Sequence, residues 1–207
     1  MGTRVEKKSK LGIMGGTFDP IHYGHLVAAE GARHHFGLDK VIFIPAARPP
    51  HKRSRGISDP YHRLNMTVLA TGSNVNFEVS DIEIKRNGPS YTIDTVDHFR
   101  RSAPDSAIYF ITGADAVLEI LTWHRVQELL DMCFFIAATR PGYRLENLSE
   151  SLKGLPSYCL EKISLMEVPA LAISSTDIRE RVKKGMPIKY LLPEEVENYI
   201  NRKKLYR

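Results

Sequence analysis

The chain has 207 residues, 43% of them hydrophobic and 26% charged, with a formal net charge of +5. These totals exclude a disordered, collagen-like or disulfide-stapled chain and suit one domain with a full-sized core. No apolar run approaches the roughly 18 residues that cross a bilayer, and "MGTRVEKKSK" carries no hydrophobic segment behind its charges, so a soluble cytoplasmic protein is expected.

Residues 1–10 are set apart as a basic tail, and one unit is expected over 11–207. The first predicted strand is "LGIM" from Leu11, followed by "GGTFDPIHYGH" and a helix starting near Gly24. "VIFIP" from Val41 is the second strand and leads into "PAARPPHK". A helix opens at "SDPYHRLNM", where Asp59 can cap and Pro60 fits the first turn. The third strand, "VNFEVS" from Val75, is followed by "KRNGPSYTIDT" and another helix. "AIYFIT" from Ala107 is the fourth, ending in "TGADAV", and "MCFFIAAT" from Met132 the fifth, ending in "TRPG". The stretch 142–156 reads as a surface connection or irregular helix. "CLEKISLMEV" holds one more strand, and "ISSTDIRERVKKG" and "LPEEVENYINRKK" are two closing helices. Strands alternating with helices imply an α/β fold: a doubly wound parallel sheet with helices on both faces and a small helical C-terminal part. Cys133 and Cys159 show no CxxC and no metal spacing, so both are expected to be inert thiols.

The positive balance favours an anionic partner. Much of it sits in "RVEKKSK" and "NRKKLYR", read as solvated tails, and no aromatic-interleaved basic stripe or nucleic-acid module is present. A phosphorylated small molecule is therefore expected, and no nucleic acid. A homo-oligomer is compatible with the sequence.

Ligands of such sheets bind beyond the carboxyl ends of the strands. Gly15 and Gly16 directly follow the first strand, where a missing Cβ permits a tight turn and close approach of a ligand. His22 and His25 fall on one face of a helix start whose free N–H groups favour an anion. The segment is neither a P-loop nor GxGxxG. It can equally be a glycine turn with two partly exposed histidines, and HxxH without a third ligand is a weak zinc site. Asp19 reads as structural. In "ISSTDIR", Ser174 can cap a helix with Asp177 completing a capping box. The same segment offers Ser175 and Thr176 hydroxyls and Arg179 to a second phosphate.

Together "GGTFDPIHYGH" and "ISSTDIR" resemble the nucleotidyltransferase superfamily marked by HxGH and an ISSTxxR-like signature, whose fold is Rossmann-like. "PPHK" at 49–52, Arg63 in "YHRLNM", "RNGPSYTIDT", "GADAVLEILTW" and "RPG" resemble one branch, the bacterial nicotinate mononucleotide adenylyltransferases. The resemblance runs from about Leu11 to Leu192. It implies transfer of AMP from ATP to nicotinate mononucleotide, giving nicotinate adenine dinucleotide and pyrophosphate, with Mg2+ accompanying ATP and no metal held by protein ligands alone. Such a transfer asks the protein mainly to position two anions and offset developing charge, which suits glycines, hydroxyls, histidines and arginines without a nucleophile.

By the resemblance, His22, His25 and Arg179 carry catalysis. ATP would be held by Gly15, Gly16, Thr17, Phe18, His22, His25, Ser175, Thr176 and Arg179, with adenosine near Gly113 and Asp115. The mononucleotide would meet Lys52, Tyr91, Thr92, Trp123 and Arg140, the indole stacking on the pyridine ring and Thr92 receiving the carboxylate. Trp123 as a core residue, Asp115 as a helix cap and Lys52 as a solvated loop residue are the plainer alternatives. His34, His35, His62, His98 and His124 have no assigned role. Two other readings stay open: a related nucleotidyltransferase using nicotinamide mononucleotide or another phosphorylated acceptor, and a nucleotide-binding regulatory module without turnover.

Overall fold

The computed structural model describes residues 8–49, 56–139, 152–153 and 156–207. Among them, six strands form one sheet: β1 (Lys10–Gly16), β2 (Lys40–Pro45), β3 (Phe77–Val79), β4 (Ala107–Gly113), β5 (Phe134–Thr139) and β6 (Ile163–Glu167). Their spatial order is β3-β2-β1-β4-β5-β6, and every pairing is parallel. This is the expected Rossmann-like winding. The strand order reverses between β1 and β4, so the crevice beyond their carboxyl ends is the ligand position of such a sheet.

The helices are α1 (Tyr23–Phe36), α2 (Pro60–Thr71), α3 (Ile82–Lys85), α4 (Thr92–Ser102), α5 (Ala114–Leu118), α6 (Val126–Met132), α7 (Ser157–Leu160), α8 (Ser175–Lys183) and α9 (Glu194–Lys203), with a 3-10 turn at Ile120–Thr122. Because side chains alternate across a strand, each continuous apolar run serves both faces. Ile42 and Ile44 join the core cluster of Ile93, Val96, Leu129 and Leu130 under α4 and α6. Val41 and Phe43 join the cluster of Ala28, Ala29, Met66 and Ala70 under α1 and α2, which Ile178, Val196 and Ile200 of α8 and α9 extend. Fully burying one such side chain contributes about 1.5–3 kcal/mol. The C-terminal helices therefore cover the same face as the helix that carries the histidines.

Local chemistry sets the helix starts. Asp59 accepts the Tyr61 N–H at 2.8 Å with Pro60 in the first turn, as expected. Ser174 caps α8 by accepting the Asp177 N–H at 3.1 Å. The reciprocal half of that capping box is replaced: the Asp177 carboxylate pairs with Arg181 at 2.7 Å. Both thiols are buried, and burial pushes that of Cys133 well above the usual range, which suits an inert core role. No helix among the described residues is long and apolar enough to cross a membrane.

Two expectations are corrected. Lys10 belongs to β1, with its N–H bound to the Asp39 carboxylate at 2.8 Å, instead of to the tail. "NRKKLYR" is not a solvated tail. Its first three residues complete α9, and Leu205 and Tyr206 pack against the core under α1 and α2. The basic residues of that run concealed the two apolar ones that fold back.

Candidate active site

The site grows from the carboxyl end of β1. A Cβ on Gly15 would come within 3.0 Å of the Phe110 ring, and one on Gly16 within 2.8 Å of the Phe18 ring, so both glycines make room for aromatic side chains. Phe18 is buried at φ 49°, its ring edge-on to His25 at 5.1 Å. Its side chain is thus a wall behind the histidine rather than part of the ligand surface.

His22 and His25 stack with ring centroids 3.8 Å apart. The His22 N–H donates to His25 Nδ1 at 3.3 Å, a bond that favours the His25 proton on Nε2. His22 is 7% exposed, and burial lowers its pKa to about 4, so its ring is uncharged at neutral pH. Its Nδ1 is buried without a hydrogen-bond partner among the described residues. Leaving such a group unsatisfied costs about 1–3 kcal/mol, which a ligand oxygen would relieve. Gly24 explains the glycine of HxGH: a Cβ there would lie 3.0 Å from the His22 ring.

The expectation of several free N–H groups at the start of α1 is narrowed. Tyr23 N–H donates to the Leu191 carbonyl at 3.2 Å and His25 N–H to the His22 carbonyl at 3.0 Å. Among the described residues Gly24 N–H has no such backbone partner, and the residue sits against the His22 ring.

The second motif meets the first directly. Ser175 Oγ donates to the Pro20 carbonyl at 2.8 Å, and Arg179 Nη1 to the Asp19 carbonyl at 2.7 Å. Arg179 Nη2 also reaches Thr176 Oγ1 at 3.2 Å. Residues some 155 positions apart therefore form one wall, with the N-terminus of α8 beside that of α1. Asp19 itself is 3% exposed, and its carboxylate accepts the Ser58 N–H at 3.2 Å and the Tyr206 hydroxyl at 2.7 Å. This is the structural use expected of it.

Across the crevice, Gly113 ends β4 with open space where a Cβ would be, so packing does not require a glycine there. Asp115 is exposed in the first turn of α5, without the capping bond that the plainer reading needs. Tyr91 and Thr92 form the start of α4, and the Tyr91 ring stacks on His124 at 4.4 Å. Trp123 is half-buried, edge-on to Phe110 and Phe135 at 5.9 Å each. It is partly core, as the plainer reading held, and partly open. Lys52 and Arg140 lie outside the described residues.

Several organising residues were given no role by the sequence reading. Arg63, 0% exposed, donates to the carbonyls of Thr17 at 2.7 Å, Ser58 at 2.9 Å and Ala47 at 3.3 Å, gathering the loops after β1 and β2. Burial lowers its pKa, with nearby Asp19 opposing that shift. Glu83 is buried and accepts the Thr95 hydroxyl at 2.6 Å; burial raises its pKa despite hydrogen bonds from Thr95 and Ser90. Ser90 Oγ accepts the N–H groups of Ala47 and Arg48 at 3.0 and 3.1 Å, tying the start of α4 to the loop after β2. In the sequence, Arg63 of "YHRLNM" stood out only as one of the pieces that carry the family resemblance, without a role. His124 gave no signal.

Among the described residues no group of three His, Cys, Asp or Glu could hold a metal ion. With both Asp19 oxygens already accepting hydrogen bonds, the wall offers imidazole, hydroxyl and guanidinium donors in place of that carboxylate.

The chain matches the cytidylyltransferase-like family model over residues 13–181. It is 61% identical to a protein of Moorella thermoacetica over 98% of this chain and 94% of that one, and 58% identical to one of Thermoanaerobacter sp. over 98% and 97%. Both bear the name "Probable nicotinate-nucleotide adenylyltransferase". The fold is similar to that of Plasmodium falciparum nicotinic acid mononucleotide adenylyltransferase complexed with NaAD, with a TM-score of 0.78, 22% identity and coverage of 96% of this chain and 97% of that one. With a family model spanning most of its length and such relatives matching nearly all of it, the chain belongs to the nicotinate-nucleotide adenylyltransferases of the cytidylyltransferase-like family.

Proposed function

We propose that this protein transfers AMP from ATP to nicotinate mononucleotide, giving nicotinate adenine dinucleotide and pyrophosphate, in the synthesis of NAD. The observation that carries the reading is the wall where "HYGH" and "SSTDIR" meet. Two helix N-termini, a stacked imidazole pair and an arginine converge at the reversal of strand order. Each element favours phosphate oxygens, and together they suit a polyphosphate.

In this reading a 5′-phosphate oxygen of the mononucleotide attacks the α-phosphorus of ATP, and the bond to the β-phosphate bridging oxygen breaks as pyrophosphate leaves. The protein supplies no nucleophile. Gly15, Gly16 and Thr17 border the reacting phosphates, with Phe18 backing His25. His25 Nε2–H and neutral His22 donate hydrogen bonds as charge builds on the α-phosphate. Ser175, Thr176 and Arg179 hold the β- and γ-phosphates, and Gly113 and Asp115 border the adenosine, the carboxylate accepting ribose hydroxyls. Tyr91, Thr92 and Trp123 receive the nicotinate. The first N–H groups of α4 suit its carboxylate and the indole its ring. Lys52 and Arg140 are assigned to the mononucleotide from sequence alone.

We assign Mg2+ as the ion of ATP, carried by phosphate and water, since among the described residues no group of acidic side chains could hold a metal ion. The ion would neutralise charge on the departing pyrophosphate. We further read residues 10–207 as one catalytic unit working in the cytoplasm on small molecules, without nucleic acid.

The test is pyrophosphate and dinucleotide formation from ATP and Mg2+, with nicotinate mononucleotide and its amide compared at equal concentration. Strong preference for the acid is expected. Equal use of both would remove the acid specificity, and turnover of neither in protein that binds ATP would remove the reading.

A further inference from the structure

We propose that Tyr206 is a positioning residue for the phosphate end of the site, acting on Arg179 and His22 through Asp19. The hydroxyl of Tyr206 donates to Asp19 Oδ1 at 2.7 Å and lies 3.9 Å from Met66 Sδ. Asp19 Oδ2 takes the Ser58 N–H at 3.2 Å, so the Tyr206 hydroxyl completes a buried carboxylate. The backbone of the same residue anchors Arg179 at 2.7 Å, Pro20 anchors Ser175 at 2.8 Å, and His22 follows three positions after Asp19. A shift of Asp19 therefore moves the guanidinium, the hydroxyl and the imidazole together.

The chain takes an unfavourable route to make this contact. Lys204 ends α9 at φ 53° and Tyr206 lies at φ 64°, left-handed conformations that are unfavourable for a non-glycine residue. Lys204 and Leu205 N–H groups close the helix end on Asn201 and Ile200 at 3.2 and 3.1 Å. That turn lays Leu205 and Tyr206 on the core beside α1 and α2. Burial, with Asp19 alongside, raises the phenol pKa and keeps the hydroxyl a donor. Leu205 packs on the core in the same turn and has no hydroxyl to offer Asp19, which separates anchoring from stability.

The proposal rests on the adenylyl-transfer reading for its kinetic readout, and ATP affinity tests it independently. The experiment compares wild type, Tyr206→Phe and Leu205→Ala by two-substrate kinetics, ATP titration and thermal melting. For Tyr206→Phe we expect ATP affinity about fivefold weaker and kcat several-fold lower, with the KM for mononucleotide within twofold of wild type. Leu205→Ala should melt earlier and bind ATP normally. Unchanged ATP affinity and kcat in Tyr206→Phe would overturn the proposal. So would equal weakening toward both substrates matched by Leu205→Ala, which is the signature of a structural role. If wild type binds ATP without turnover, the adenylyl-transfer reading fails, and the ATP affinities alone decide the role of Tyr206.

Discussion

The two ends of the crevice are built differently. At the phosphate end, Asp19, His22 and Arg63 are buried, and their surroundings are tied by hydrogen bonds between residues 17–20, 58, 63, 175, 179 and 206. At the mononucleotide end, Tyr91, Thr92 and Trp123 are half-buried and His124 exposed, held by ring contacts and the start of one helix. The difference follows the proposed chemistry. Stabilising charge on a phosphorus in transit needs donors fixed before reaction, since reorganising them would add to the barrier. Holding a flat ring and a carboxylate needs only a surface and a few donors, which can adjust as the ligand arrives.

The largest expected effect breaks the phosphate end. His25→Ala should lower kcat by about a hundredfold or more while the protein folds normally, the size of a lost oxyanion-type donor. Turnover near that of wild type would remove its role. The next effect is on stability. With a folded pKa of about 4 against an unfolded value near 6.5, His22 is protonated first in the unfolded chain as pH falls. Its contribution should therefore be lost progressively from pH 6.5 toward 4, by about 1.5 kcal/mol between pH 6.5 and 5. Denaturant unfolding across that range, wild type against His22→Asn, would reveal it, and identical slopes would contradict it. Arg179→Ala should raise the KM for ATP about tenfold, typical of a lost charge-assisted contact, and barely move that for mononucleotide. The reverse pattern would transfer Arg179 to the other end. The smallest effect reads the open end: Trp123 fluorescence should change on adding mononucleotide and stay level with ATP alone. No response at saturation would return the indole wholly to the core.

Much of this was legible along the chain. Strands such as "VIFIP" are buried on both faces and so stand out as unbroken apolar runs. The caps at Asp59 and Ser174 depend on neighbours within three residues. What stayed hidden depends on distant partners. Arg63 collects carbonyls from separate loops, Glu83 is buried in the short helix α3 within a polar stretch, and Tyr206 reaches Asp19 across 187 positions inside a run dominated by basic residues. Local patterns report which face of an element is apolar, and they do not report which loop will lie against it. The HxGH glycine is intermediate: its presence was visible, while its reason, clearance for the His22 ring, exists only in the folded arrangement.

The central claim is that the protein positions the two substrates for one direct transfer and takes no covalent part in it. Its most direct test is a single turnover with ATP made chiral at a thio-substituted α-phosphorus, following both the configuration of the dinucleotide and any adenylyl group on protein. Direct in-line transfer predicts inversion and no labelled protein at any time. Retention, with label appearing on a histidine before the dinucleotide forms, would contradict the account and make one of the stacked imidazoles a nucleophile.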